Sequence, residues 1–336
     1  MFSDEAIMIK IICLIIAEIL IVLVTLWGFL ALLFCAPATG LNIVLSVIYG
    51  LSGLLTFICL SINKWNRQVA TGFVVIFVIL VAWWNTIKPS NDRDWQTDVA
   101  ILPYTTINGD LVTVYNIRNF DYRSEYDYVP AYYDKTFDMR KLESVDLVAV
   151  YWMGPAIAHT FLTFGFNGGD YLAVSIETRK EKGEAYSTLR GFFKQYELYY
   201  VVADERDVIR LRTNYRKDPP EDVYLYRIYR PVKNGQRTFL EYMEKINALN
   251  KQPQFYNTLL YNCTTTIWYN AKVNPGRVPF SWKVLVSGYA PEYLYEMGVL
   301  DTSIPFAELQ RRNHVNARAQ QADKAPDFSS LIRTVD

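Results

Sequence analysis

Three long apolar stretches lie in the first 88 residues, and they constrain the fold more than any other feature. They cover about residues 11–36, 41–63 and 69–87. Each is long enough to cross the hydrocarbon core of a bilayer, which needs about 20 helical residues. The connectors APATG and KWNRQ are very short. The sequence therefore predicts three membrane-spanning helices rather than a cleaved signal peptide.

Basic residues in the short loops predict the orientation of these spans. Lys64 and Arg67 lie between the second and third stretches, whereas the first connector is uncharged. Because basic loop residues favour the cytoplasmic side, this loop is expected there. Two spans separate it from the N-terminus, which then lies on the same side. The third span exits outward, near Trp83 and Trp84, and the rest of the chain follows outside the cytoplasm.

The charge distribution divides the chain and excludes some classes of function. Residues 1–88 carry four basic and three acidic side chains, and the remainder carries 30 basic and 31 acidic. A neutral domain without a basic patch has no general attraction for nucleic acid. Aromatic residues make up 15% of the chain, which excludes general disorder. We expect a membrane anchor at 1–88, a globular domain at 89–312 and a flexible tail at 313–336.

Cysteine and histidine are scarce, which narrows the possible chemistry. The outward domain has a single cysteine, Cys263, and the chain has two histidines, His159 and His314. The other cysteines lie in the predicted spans: Cys13, Cys35 and Cys59. A disulfide within the domain is excluded, and so is a zinc site built from a CxxC pair or three histidines. We expect no metal and no cofactor.

Apolar patterning predicts an α+β fold for the outward domain. Strand patterns occur at the hairpin 98–118, with its turn at Asn108-Gly109, and at 147–152, 159–177, 196–202 and 222–229. Helical patterns occur at 184–195 and 235–250, and another helix begins at residue 262 or 263. The tyrosine-rich stretch between 118 and 138 is expected to be an ordered loop or an edge of the fold. Strands and helices in separated runs favour α+β over a doubly wound sheet.

The hairpin at 159–177 places a histidine opposite a glutamate. Its even-numbered positions are apolar in both strands, so both sets must face one core. A three-residue loop, 167–169, then pairs residues whose numbers sum to 336, and glycines suit such a loop. This register sets His159 opposite Glu177. A register shift of two would instead bring Ser175 or Arg179 opposite.

Cys263 is expected in the first turn of a helix. Asn262 is a good N-cap, and a thiolate in the first turn is stabilised by the helix dipole. A neighbouring imidazole would lower the pKa of the thiol further, and a carboxylate would orient the imidazole. Cys263, His159 and Glu177 supply these three parts. An inert buried cysteine is the commoner reading of any single thiol, but the combination favours catalysis.

Other polar residues are candidates for substrate contacts or for surface positions. Arg210 and Arg212, in DERDVIRLR, could bind an anionic head group or lie in a solvated turn leading to a strand. His314 is better interpreted as a solvent-facing histidine. Side chains beside the three central residues complete the candidate set for binding substrate: Ser175, Arg179, Asn262, Arg210 and Arg212.

At these residues the sequence resembles a known family. The segments AIAHTFLTFGFNGGDYLAVSIETRKEKGEAYSTLRGFF, YYVVADERDVIRLRT and FYNTLLYNCTTTI resemble the periplasmic domain of the bacterial lipoprotein N-acyltransferase Lnb, over roughly residues 110–300. The resemblance implies a circularly permuted relative of NlpC-type and papain-like thiol enzymes. It carries the family's cysteine, histidine and acidic residue over to Cys263, His159 and Glu177.

The resemblance also implies an activity and a location. The family moves a fatty acyl chain from the glyceryl lipid of a lipoprotein to the amine of its N-terminal cysteine. The expected partners are the lipid bilayer and a lipoprotein or phospholipid substrate, and the expected location is a bacterial inner membrane with the catalytic domain in the periplasm. The alternatives are a cysteine peptidase or amidase with the same residues, and a membrane-anchored scaffold without activity.

Overall fold

The computed structural model describes residues 4–36, 40–62 and 66–334 and divides into two compact units. The first unit contains Met1–Pro89 and Ser187–Gln195, and the second contains Ser90–Tyr186 and Tyr196–Asp336. Lys64, on which the predicted orientation partly rests, lies outside the described residues.

Three long apolar helices form most of the first unit. They are α1 Asp4–Cys35, α2 Leu41–Ser61 and α3 Asn66–Thr86. Each is long and apolar enough to cross a membrane, which confirms the three predicted helices. Helices α1 and α2 approach closely at Gly53, where an added Cβ would meet the Thr25 side chain at 2.1 Å. The Glu18 carboxylate of α1 accepts a hydrogen bond from Ser61 of α2 at 2.8 Å, so this charged residue lies at a helix contact.

The segment 187–195 also belongs to the first unit, and here the predicted helix at 184–195 is wrong. The segment contains only a short 3₁₀ turn, Arg190–Phe192. The Phe193 ring packs 5.6 Å from Phe34, and Lys194 donates to the Trp84 carbonyl at 2.8 Å. These contacts with the apolar helices fix the segment in an irregular conformation, and its glycine disfavours a helix.

A mixed sheet, eight-stranded over the described part of the chain, forms the centre of the second unit. Its strands in chain order are β1 Tyr104–Asn108, β2 Leu111–Arg118, β5 Tyr132–Asp138, β6 Leu142–Tyr151, β7 Ala158–Phe166, β8 Asp170–Arg179, β9 Glu197–Ala203 and β10 Asp222–Arg227, while β3 Asp121–Tyr122 and β4 Tyr128–Val129 pair separately. The order is β1-β2-β9-β8-β7-β6-β10, and β5 pairs with β2. Only the single bridge from β2 to β9 is parallel among these pairs.

Most of the predicted strands are confirmed. The patterns at 147–152, 196–202 and 222–229 fall in or overlap β6, β9 and β10. The first hairpin is present as β1 and β2, with Asn108 opposite Leu111, although its first strand starts only at Tyr104. The tyrosine-rich stretch forms β3, β4 and β5, an ordered edge of the fold.

Helices cover both faces of the sheet, so the sheet separates two cores. The helices are α4 Glu205–Arg210, α5 Val232–Lys251, α6 Cys263–Asn270, α7 Trp282–Leu285, α8 Ala290–Glu296, α9 Phe306–Asn313, α10 Asn316–Gln321 and α11 Phe328–Leu331. One core contains Leu162 and Phe164 of β7 together with α5 and α6. The other contains Phe161 and residues of α4, α10 and α11. The α+β class with three N-terminal apolar helices is therefore confirmed.

The C-terminal segment differs from the flexible tail that its composition predicts. Phe328 and Ile332 are fully buried in the second core. The Arg333 guanidinium binds Asp146 at 2.9 Å and Glu205 at 2.6 Å, and both carboxylates are buried. Phe328, Ile332 and Arg333 hold the segment in place. Three residues do not change its polar average composition, and that composition is what predicted a flexible tail.

We expect Arg333→Gln to lower the free energy of unfolding by about 3 kcal/mol, because it leaves the buried Glu205 carboxylate without its cation, whereas Asp146 keeps Arg227. Urea unfolding of the purified protein, followed by tryptophan fluorescence, measures the change. Arg311→Gln is the matched control, since Arg311 pairs with Glu308 at an exposed site and should contribute less than about 1 kcal/mol. Equal effects of the two substitutions would show that the C-terminal segment is not held by this ion pair.

Candidate active site

The β7–β8 hairpin has the predicted register. Phe161 lies opposite Ser175 and Phe166 opposite Asp170, so the paired numbers sum to 336. The loop between the strands contains Gly168 and Gly169 at φ values of 101° and 84°, a region that favours glycine. At the open end of the hairpin, this register brings side chains of the first strand close to those of the second.

His159 and Glu177 meet at that end. Nε2 of His159 lies 3.1 Å from Oε1 of Glu177 and 2.7 Å from the Ser175 hydroxyl. The same hydroxyl donates to Oε1 of Glu177 at 2.8 Å. Ser175, a candidate for substrate binding, therefore bridges the histidine and the carboxylate. The predicted pairing of an imidazole with an acid is present in the structure.

Helix α6 begins at Cys263, and Asn262 caps it. The Asn262 side chain accepts from the Thr265 N–H at 2.8 Å, and the Thr265 hydroxyl accepts from the Asn262 N–H at 3.0 Å. The Asn262 amide also donates to the Thr258 carbonyl at 2.8 Å. These bonds occupy the asparagine, so the structure gives it a capping role in place of the expected substrate contact.

The Cys263 thiol is buried beside His159 and is acidic. Only 8% of the residue is exposed, and burial alone would raise the pKa of the thiol. The charge of His159, its hydrogen bond to the sulfur and the Thr160 N–H oppose this effect and lower the pKa to about 7. A substantial fraction of Cys263 is therefore thiolate near neutral pH, which is what a nucleophile requires.

The acid keeps the histidine protonated. Burial lowers the pKa of His159, but the Glu177 carboxylate, together with the charge of Cys263 and its hydrogen bond, raises this pKa to about 9. Burial would raise the pKa of Glu177, yet His159 and Arg212 hold it well below its usual range. Between about pH 7 and pH 9 the favoured state is accordingly a thiolate–imidazolium pair next to an ionised carboxylate.

Comparison with known proteins gives one match, and it covers this site. Residues 128–288 match the family model of the Lnb N-terminal periplasmic domain. The matched range contains His159, Glu177 and Cys263, and it supports the relation to the Lnb family. With the three apolar helices, it also supports a membrane protein with a periplasmic domain. No curated protein and no solved structure matches the chain.

Arg212 contacts the candidate site in a way that the sequence did not reveal. It lies in a π-helical turn, Leu211–Tyr215, directly after α4. Its guanidinium binds Oε1 of Glu177 at 2.8 Å and the Glu221 carboxylate at 3.4 Å. Arg212 is buried, so the solvated turn is wrong, whereas an anion site at this residue stays a prediction. No local pattern marks a cation that pairs with an acid 35 residues away.

Two other arginines among the predicted substrate contacts have partners elsewhere in the second unit. Arg210 binds the Asp121 carboxylate at 2.9 Å and the Asp323 carbonyl at 3.0 Å. Arg179 donates to the carbonyls of residues 99 and 100 at 2.9 and 2.7 Å, and it lies 4.2 Å over the Trp95 ring. Both are buried and hold segments of the fold together, so neither is placed to bind substrate.

His314 and the groups that could bind a metal ion are the remaining candidates for a functional site. His314 caps the end of α9, is partly exposed, and lies 3.1 Å from Asp222. Within the described parts of the chain, no group of three or more histidine, cysteine or acidic residues could hold a metal ion. The candidate catalytic residues remain Cys263, His159 and Glu177.

An apolar cavity of about 170 Å³ adjoins the site in the second unit. Its wall includes Thr160 and Thr264, which follow His159 and Cys263 directly and hydrogen-bond to each other at 2.8 Å. Most of the remaining wall is apolar and includes Leu147, Leu162, Ile228, Ile267, Ala290 and Leu294. A fully apolar cavity of about 150 Å³ has room for a molecule the size of benzene. This one accommodates an apolar segment of similar size.

We expect Glu177→Gln to raise the pH midpoint for alkylation of Cys263. Loss of the carboxylate lowers the pKa of His159, so the imidazolium that stabilises the thiolate is lost at lower pH. The midpoint, measured from rates of iodoacetamide labelling, should lie near pH 7 in the wild type and rise by about one unit in the variant.

The matched control is Asp170→Asn, at the other end of β8, where Asp170 pairs with Lys135 on a partly exposed edge. This variant should keep the wild-type midpoint. An unchanged midpoint in Glu177→Gln would contradict the assignment of Glu177 as the residue that charges His159.

Proposed function

We propose that the protein is a membrane-anchored thiol acyltransferase of a bacterial inner membrane with its catalytic domain in the periplasm. Cys263 is the nucleophile, His159 moves the proton, and Glu177 orients and charges the histidine. The acyl donor is an ester of a lipoprotein or a phospholipid, and the acceptor is an amine such as the N-terminus of a lipoprotein. The match to the Lnb domain and the implied permuted papain-like order, with His159 before Cys263, support this assignment.

The apolar cavity is the observation that carries the choice of an acyl substrate. Its wall includes the residues that directly follow the candidate nucleophile and the candidate base. Cys263 itself packs in the same apolar core as Leu162 and Phe164. A peptide backbone would leave its polar groups without partners in such a cavity, whereas a hydrocarbon segment does not. This argument favours acyl transfer over a peptidase or amidase.

The first half-reaction transfers the acyl group to the enzyme. The Cys263 thiolate attacks the ester carbonyl carbon and forms a tetrahedral oxyanion. The C–O bond then breaks, and the leaving alkoxide takes the proton of the His159 imidazolium. The products are an acyl thioester on Cys263, an alcohol and a neutral imidazole.

The second half-reaction releases the acyl group to an amine. The amine attacks the thioester carbonyl and loses a proton to the neutral His159. The C–S bond breaks, so the amide leaves and the thiolate–imidazolium pair is restored. Water in place of the amine would give hydrolysis with the same residues, so exclusion of water by the acyl chain and the apolar wall decides the outcome.

Backbone groups at the start of α6 stabilise the oxyanion in this proposal. The first N–H groups of a helix have no partner inside it, and the helix dipole favours negative charge there. The cap formed by Asn262 and Thr265 fixes this turn. The N–H groups of Cys263 and Thr264 are then the donors that face charge developing at the carbonyl bound to sulfur.

We expect the wild-type protein to form a fatty-acyl adduct on Cys263 when it is incubated with a diacylated lipopeptide. Intact-mass measurement should show the added acyl mass, and hydroxylamine should remove it because it cleaves thioesters. Cys263→Ala should show no such adduct.

Cys59→Ala is the control, because Cys59 lies in α2 and its removal should leave the adduct unchanged. Release of shortened peptide without a fatty-acyl adduct on Cys263 would replace the proposal with a peptidase. If neither the lipopeptide nor a peptide reacts, and Cys263 also resists iodoacetamide, the inactive scaffold is favoured.

We expect Ala271→Leu to reduce adduct formation from long-chain donors more than from short-chain donors. Ala271 lines the cavity, and each added methylene there removes space for an acyl chain of similar volume. Adduct formation is compared between lipopeptides carrying long and short acyl chains, with labelling of Cys263 by iodoacetamide as the check on the nucleophile. Val273→Leu, at an exposed position nearby, should leave the chain-length preference unchanged.

A further inference from the structure

The chain around Cys263 has an unusual charge composition. Residues 245–291 contain no acidic residue, and their basic residues are Lys245, Lys251, Lys272, Arg277 and Lys283. Acids outside this run neutralise two of them, since Lys245 pairs with Glu241 and Lys283 pairs with Glu292 and Glu296. Lys272 and Arg277 make no ion pair with the part of the chain that the structure describes. Lys251, Lys272 and Arg277 are therefore exposed cations without an ion pair in the described part of the chain, and the last two share the Trp268 ring.

Both cations lie on aromatic rings that form one continuous group. The Lys272 ammonium is 4.4 Å from the centre of the Trp268 ring and 4.2 Å from that of Tyr269, and the Arg277 guanidinium is 5.9 Å from Trp268. Tyr261 stacks on Tyr269, and Phe280 contacts Trp268 edge to face. We call this group the aromatic–basic surface; its members are Tyr261, Trp268, Tyr269, Lys272, Arg277 and Phe280.

Large apolar side chains at and beside this surface face solvent. Phe280 is 55% exposed, and Trp282 is 57% exposed. Leu259 and Leu260 are exposed by 45% and 52%. Contiguous exposed apolar side chains of this size mark an interaction site in a folded domain.

The aromatic–basic surface is continuous with the apolar cavity. Trp268 and Arg277 belong to both, so the surface borders the cavity at these two residues. Arg230 is a further basic residue of the cavity wall, and Glu143 is the one acidic residue among the wall residues. A molecule that enters the cavity from this side passes between aromatic and basic groups.

We propose that the aromatic–basic surface docks on a lipid bilayer that contains anionic phospholipids. Tryptophan and tyrosine prefer the bilayer interface, and lysine and arginine attract anionic head groups. The chain carries three helices able to cross a membrane, so a lipid surface is always within reach of the domain. Docking in this way presents acyl chains to the cavity mouth. The purpose of docking rests on the proposed acyl transfer, but docking itself needs no reaction at Cys263.

Hydrogen exchange of the full-length protein in lipid nanodiscs tests this proposal. Amides of residues 257–283 should exchange more slowly in nanodiscs with one-third phosphatidylglycerol than in nanodiscs of phosphatidylcholine alone. Each basic side chain near an anionic surface contributes about fivefold to the docking equilibrium. The docking equilibrium constant of the double variant Lys272→Glu/Arg277→Glu should therefore fall roughly 25-fold or more. Its amides should then exchange at the same rate in both kinds of nanodisc.

The matched control is Lys217→Glu/Lys324→Glu, which makes the same charge change at two exposed positions elsewhere on the domain and should keep the protection. A wild-type pH midpoint for Cys263 alkylation in both double variants shows that the site is folded. Cys263→Ala should also keep the protection, so docking can fail or succeed independently of acyl transfer. The proposal is overturned by equal exchange in the two lipids, or by protection in neutral nanodiscs that grows with protein concentration, which would indicate a second copy of the chain.

Discussion

The buried carboxylate of Glu177 is the interaction on which the rest of the site depends. It lies between two cations, His159 and Arg212, and both hold it ionised despite burial. Its charge keeps His159 protonated, and the protonated ring makes the Cys263 thiol acidic. Arg212 acts in the opposite direction on His159 by lowering its pKa. The site thus contains two cations, His159 and Arg212, and two anions, Glu177 and the Cys263 thiolate, and all four are largely buried. Removal of any one of them changes the pKa values of its titratable neighbours.

The central hairpin could be predicted from sequence because its constraints are local and strict. Apolar residues alternate in both strands, so even-numbered positions of one strand must pair with even-numbered positions of the other. A three-residue loop with two glycines then selects the register that brings His159 close to Glu177. The start of α6 at Cys263 was also predictable, since an asparagine cap is a short-range signal. These two local patterns placed the three residues of the proposed chemistry on their elements. They could not show that the hairpin and the helix meet.

The parts that sequence reasoning missed depend on contacts between distant segments. Arg212, in a π-helical turn after α4, becomes a buried partner of Glu177 through tertiary packing, which no local sequence pattern shows. The C-terminal segment is held by Phe328 and Ile332 within an otherwise polar stretch. Residues 187–195 were predicted as a helix from their pattern, but contacts of Phe193 with the apolar helices determine their conformation. In each case long-range packing overrides or supplements local propensity.

The position of the C-terminal segment has a consequence for folding. Ile332 and Arg333 close the core that lies on the same sheet face as Phe161, next to the histidine. This core is therefore complete only when a segment about 70 residues beyond Cys263 in the sequence has folded onto it. The sheet face that carries Phe161, and with it the surroundings of the histidine, depends on the last part of the described chain to fold.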